Sequence, residues 1–149
     1  MSSCRHCGIA ELNGRFARAL DLGDVEAWVA TFTPYGRYDN GRTELHGHAE
    51  LRAWIARRSA SVLRRTTRHV WSGLVIDPAG GRRGDDADVV AVTSTWVCYA
   101  ANEPAPIERV SVWSVADFVD TCVRLDDRWL LAARTIRTVF RDPSVAPPV

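Results

Sequence analysis

The chain has 149 residues, 46% of them apolar, which suits one domain around one core and is too apolar for a disordered chain. A formal charge of +1 points to neither a polyanion nor a charged membrane surface, so no nucleic-acid and no membrane partner is expected. No apolar run approaches the roughly 20 residues of a membrane span, and the opening "MSSCRHCGIA" lacks the apolar stretch of a signal peptide, so a cytoplasmic location is expected.

In chain order, Ile9, Leu12, Phe16 and Leu20 recur at helical spacing and predict a helix over 8–22, stopped by Gly23. Asp24 is placed to cap a second helix whose apolar face is Val25, Trp28, Val29 and Phe32, with "TPYG" as its breaker. Residues 36–46 read as a hairpin turning at "DNGR". A third helix is expected over 48–61, with Leu51, Trp54 and Ile55 inward.

The period then changes from 3.6 to 2. Strands are expected over 67–77, 88–100, 109–125 and 129–140, joined by "PAGGRRGDDA", "ANEPAP" and "DDR". Helices followed by an antiparallel meander argue for an α+β fold: a cone of three N-terminal helices on a strongly curved, mostly antiparallel sheet with an interior pocket. Residues 1–141 read as a single domain and the proline-rich 142–149 as a loose tail. Val70, Leu74 and Ile76 are assigned to the outer face of the sheet, which suggests a homodimer.

Cys4 and Cys7 form one C-x-x-C without the second ligand pair of a zinc site, so no metal is expected; Cys98 and Cys122 read as small buried hydrophobes. "ARRSASVLRR" clusters four arginines without the aromatic interleaving of a nucleic-acid groove and reads as a solvated face. His69, in "RRTTRHVWSG", shares a strand face with Thr67 and Trp71. On its own it reads either as a proton carrier in a pocket or as a core histidine with a quiet hydrogen bond. Asp21 falls at the C-terminal end of its helix, where the macrodipole disfavours an anion unless a donor comes to it. It reads either as His69's partner or as a solvated helix end. Asp120 and Arg134 are candidates for a pair across neighbouring strands.

Four segments, "RFARALDLGDVEAWVATFTPYGRY", "GHAELRAWI", "TTRHVWSGLVID" and "ADFVDTCVRLDDRWLLAARTI", resemble in order and spacing the SnoaL-like branch of the nuclear transport factor 2-like superfamily, over about Ile9 to Arg141. The branch and its relatives include dehydratases, a dehydrochlorinase, isomerases, polyketide cyclases and accessory subunits of ring-hydroxylating dioxygenases. The resemblance places a catalytic aspartate on Asp21, a catalytic histidine on His69, a substrate-facing aromatic on Phe118 and a substrate-facing arginine on Arg134. It implies cofactor-free acid–base chemistry, by a cyclase, isomerase or lyase, on a small hydrophobic molecule such as a polyketide or terpenoid intermediate. Phe16, Tyr38, Trp71, Phe118 and Arg134 would shape the pocket. The alternative is a non-catalytic binding protein or accessory subunit. Relatives that eliminate water or halide carry tyrosine or lysine where this chain has Phe16, whose ring cannot donate a proton.

Overall fold

The structure, a computed structural model, describes residues 4–60, 64–77 and 89–147. The glycine-rich turn expected at 78–87 lies outside the described residues. Helix α1 spans Arg5–Leu22 and begins three residues earlier than its apolar periodicity, because the Cys4 side chain caps it by accepting from the Cys7 N–H. Its buried stripe carries Ile9, Leu12, Phe16 and Leu20, widened by Asn13 and Ala17. Gly23, at φ +68°, turns the chain out of the helix in a left-handed conformation that glycine adopts without strain.

Asp24 caps the short α2, Val25–Val29, accepting from Ala27 N–H at 3.0 Å. Phe32, assigned to this helix by spacing, instead opens strand β1, Phe32–Asp39. The helix stops first: Thr31 Oγ1 donates to the Trp28 carbonyl at 2.6 Å, and the residue before Pro34 is biased toward extended backbone. Asn40 Oδ1 accepts from the Arg42 and Thr43 N–H groups and so holds the turn into β2, Glu44–His46. Helix α3 then runs over Gly47–Ser59.

Four long strands follow: β3 Thr66–Asp77, β4 Val89–Ala101, β5 Val112–Leu125 and β6 Arg128–Arg141. Asp126 and Asp127, at φ 47° and 62°, close the β5–β6 hairpin as a two-residue turn of the mirror-image kind. The sheet order is β2-β1-β6-β5-β4-β3; β1 runs parallel to β6 and every other pair is antiparallel. The architecture is therefore α+β, with three helices on a six-stranded mixed sheet that is strongly curled but not closed, β2 and β3 being its edges.

Strand β3 corrects one expectation. Thr67, His69 and Trp71 face inward, but the β3–β4 register shifts between Ser72 and Val75, where Gly73 takes φ +61°. One inserted residue flips the alternation. Leu74 and Ile76 therefore pack against the core rather than on the outer face, which keeps Val70 and gains Val75. Register aligns Val70, Val97, Val115 and Phe140 in one row across the outer face.

The tail is tied as far as it is described. Asp142 N–H donates to the Trp113 carbonyl at 2.8 Å, Pro143–Val145 makes one 3₁₀ turn, and Asn102 Nδ2 donates to the Ala146 carbonyl at 3.0 Å. No helix among the described residues is long and apolar enough to cross a membrane.

Candidate active site

Helices and sheet enclose a cavity of about 990 Å³, at the upper end of the range for small-molecule sites. Phe16 and Leu20 of α1, Tyr38 of β1, Trp54 of α3, Trp96 of β4 and Phe118 of β5 supply its apolar wall. Trp96 and Phe118 stack at 4.5 Å between ring centroids, 9° apart. That pairing gives the wall a flat, rigid aromatic surface.

Asp21 and His69 also line the cavity. Asp21 lies one helical turn after the buried Ala17, so α1 turns it toward the sheet even though it is far round the helix from Phe16. Its carboxylate is fully engaged. Oδ1 accepts from His69 Nδ1 at 2.6 Å and from Thr67 Oγ1 at 2.8 Å, and Oδ2 accepts from the His69 backbone N–H at 2.8 Å. Thr67 and His69 reach it together because they sit two apart on the inner face of β3. An ionised carboxylate can only accept, so Nδ1 carries the proton. In the neutral ring that leaves Nε2 with a lone pair, and Nε2 has no protein partner among the described residues on a ring that borders the cavity.

Burial alone would raise the Asp21 carboxyl. The hydrogen bond and charge of His69, with the backbone and Thr67 donors, outweigh it and hold the carboxyl below its ordinary 3.8. Because the folded value lies below the unfolded one, the ionised carboxylate stabilises the fold fully above about pH 3.8, and that contribution disappears as pH falls through the folded value. Urea midpoints measured from pH 5 to pH 2 are therefore expected to fall more steeply for the native chain than for Asp21→Asn. Parallel curves would show that Asp21 does not set this acid limb.

Tyr38 is buried beside the cavity, and burial pushes its phenol above the ordinary value, against the opposing effects of Asn40, Arg58 and Arg134. It therefore stays a neutral hydroxyl. Cys98, the cross-strand partner of His69, also lines the cavity; burial pushes its thiol up to about 12, so it is neutral too.

Two residues expected at the pocket sit behind its wall. Trp71 is partly buried against Trp96, with ring centroids 6.4 Å apart, and does not border the cavity. Arg134 is fully buried and faces no open space. Its Nε and Nη2 donate to the two Asp120 carboxylate oxygens at 2.9 and 2.7 Å, and Nη2 also reaches Asn13 Oδ1 at 2.7 Å. The guanidinium carbon lies 4.2 Å from the Phe16 ring centroid, 4.9 Å from Phe118 and 5.0 Å from Trp96. Arg134 is thus a brace behind the aromatic wall rather than a group facing ligand. Asp120 takes its charge, and the aromatic faces pack on its plane.

The arginine-rich segment departs in part from its expected place. Of the four arginines expected on a solvated face, Arg57 and Arg64 are exposed and Arg58 and Arg65 are partly buried, and all four border the cavity along with Arg42 and Arg141. The signal is present in "ARRSASVLRR". What hides it is that the C-terminal end of α3 and the residues just before β3 border one cavity, which spacing along the chain does not show.

Residues 5–135 match the SnoaL-like domain model, so the chain belongs to the SnoaL-like domain family. Among solved structures, it is similar to a Nostoc punctiforme protein of unknown function with a cystatin-like fold (TM-score 0.73, 26% identity, covering 97% of this chain and 96% of that one). It is also similar to ActVI-ORFA from Streptomyces coelicolor (TM-score 0.74, 18% identity, 90% and 96% covered) and to Aln2 from another Streptomyces strain (TM-score 0.74, 17% identity, 93% and 93% covered). The two Streptomyces likenesses speak to the fold alone. No curated protein sequence matches the chain.

Proposed function

We propose that this protein is a cofactor-free acid–base enzyme, a cyclase, isomerase or lyase, acting on a small hydrophobic molecule of the polyketide or terpenoid kind. The observation that carries this reading is the 2.6 Å contact of Asp21 with His69 Nδ1 at the edge of a large aromatic cavity. Asp21 fixes the tautomer and orientation of the ring, and Nε2 accepts a proton from a substrate carbon. The carboxylate then faces the positive charge that develops on the ring. Phe16 offers no proton at the position where eliminating relatives carry a donor. That favours reactions driven by a base and a shaped cavity, isomerisation or cyclisation, over loss of water. Tyr38, neutral and bordering the same cavity, is the phenolic hydroxyl available as a donor. The outer row Val70, Val97, Val115 and Phe140 supports a homodimer that leaves the cavity on the opposite face.

An exchange assay tests the chemistry without knowledge of the natural substrate. A panel of enolisable bicyclic ketones, 2-tetralone among them, is incubated in deuterated buffer, and uptake of deuterium at the carbon next to the carbonyl is followed by mass spectrometry. Exchange above buffer is expected with the native chain and not with His69→Ala. No exchange with any ketone, or equal exchange by both proteins, would remove the base. Binding of these ketones without exchange would leave the non-catalytic binding protein as the better reading.

A further inference from the structure

The cavity is strongly unbalanced in charge. Six arginines line it, Arg42, Arg57, Arg58, Arg64, Arg65 and Arg141, and Asp21 is the one acidic residue among the described residues that do. Asp21 is already committed to His69, Thr67 and the β3 backbone. Two of the arginines are partly buried, and neither has a carboxylate partner among the described residues. Arg58 Nη1 donates to the Leu20 carbonyl at 2.9 Å, one residue before Asp21. Arg65 Nη1 donates to Asn102 Oδ1, and its guanidinium lies 5.0 Å over the Trp113 ring. Its Nη2 is buried with no hydrogen-bond partner among the described residues.

The two groups border the same cavity and are electrostatic neighbours. Burial pushes the Arg65 guanidinium below the usual arginine value, and the charge of Arg58 pushes it the same way. Both arginines also act on the Cys98 thiol, which sits across the β3–β4 register from His69. Among the described residues, Asp21 is the one charged carboxylate that acts on Arg58, and it is already bonded to His69, Thr67 and the β3 backbone, while the Cys98 thiol and the Tyr38 phenol are both held neutral by burial. A buried charge without a counter-charge, and a buried N–H without an acceptor, each cost free energy. An incoming anion would offset both.

We propose that Arg58 and Arg65 are the binding site for a carboxylate on an otherwise apolar substrate, held beside Cys98 and next to the His69 ring. The apolar body of that molecule then lies against Phe16, Trp96 and Phe118. The inference rests on the acid–base reading for the meaning of "substrate", but the anion site itself is tested by binding alone.

The probes are 2-naphthoate and 2-naphthamide, which share a ring system and differ in charge. Binding is followed by quenching of tryptophan fluorescence at pH 7, since Trp54, Trp96 and Trp113 border the cavity. The native chain is expected to prefer the acid to the amide by roughly tenfold or more, the scale of a charge-assisted, bidentate contact. His69→Ala should keep that preference. Arg58→Gln with Arg65→Gln should lose most of it while still binding the amide, which also shows that the variant is folded. Arg68→Gln, exposed and away from the cavity, should change nothing. Equal affinities for acid and amide in the native chain, or no binding of either at millimolar concentration, overturn the proposal. So does an unchanged preference in the double variant. A failed ketone exchange alongside a retained preference would sink the catalytic reading and leave the anion site standing.

Discussion

Asp120→Ala is expected to lower the stability of the fold by about 3–5 kcal/mol, the scale for removing one partner of a buried ion pair. For a domain of this length that corresponds to a drop in melting temperature of roughly 6–20 °C. The reason lies in what remains. Arg134 is 0% exposed and Asp120 3% exposed, and the pair is bidentate. Without the carboxylate, a guanidinium stays shut among Phe16, Trp96 and Phe118 with only Asn13 Oδ1 as an acceptor. The double change, Asp120→Leu with Arg134→Met, removes both charges and should recover much of the loss, because a buried pair contributes little net free energy against an apolar replacement of similar size. Thermal unfolding of the three proteins checks this. A single variant that melts like the native chain would show that water reaches the guanidinium. A double variant worse than the single one would show that the aromatic wall needs the cation itself.

That pair also shows what the sequence can and cannot tell. Asp120 and Arg134 were legible as lying on neighbouring strands, although the tight turn alone would set Ala133 opposite Asp120, and it is the register shift between Thr121 and Cys122 that brings Arg134 there. Their depth was not. Strand alternation says which side of the sheet a residue takes, not whether a cavity or a packed core lies there. The same gap explains Trp71, which points inward as its alternation demands and still stops against Trp96. Leu74 and Ile76 failed for another reason: alternation assumes an unbroken ladder, and a single residue inserted near Gly73 reverses it. The helices were legible because a stripe such as Ile9, Leu12, Phe16 and Leu20 is a local pattern. The parallel pairing of β1 with β6 joins chain segments about a hundred residues apart, and no local pattern carries it. The arginine cluster was visible and half of it, Arg57 and Arg64, is exposed as charge in a sequence suggests, but that Arg58 and Arg65 are partly buried at a cavity depends on the fold and is carried by no local pattern.

On the reading proposed above, Asp21→Asn is expected to slow ketone exchange by about 10²–10⁴-fold, the usual contribution of a positioned general base, while the fold survives. The geometry predicts how. In the native chain Oδ2 accepts from the His69 backbone N–H, and Oδ1 accepts from Nδ1 and from Thr67. An asparagine has one oxygen and one NH₂. If the oxygen keeps the backbone N–H, the NH₂ faces Nδ1, which must then become the acceptor, and the ring's proton moves to Nε2. The lone pair that faced the cavity is gone, although every heavy atom stays close to its place. His69→Ala should slow exchange to a similar extent for a different reason, since the base itself is missing. It should cost less than about 2 kcal/mol, because Asp21 keeps the backbone N–H and the Thr67 hydroxyl and the vacated space opens to the cavity. The two losses should not add: Asp21→Asn in the His69→Ala background has no tautomer left to reverse, and its further effect on exchange should be close to none. Exchange rates and melting temperatures for the two single variants and the double variant give both answers together. If Asp21→Asn exchanges ketone at the native rate, the carboxylate plays no part in the chemistry. If the two losses multiply, Asp21 and His69 act separately and are not one unit.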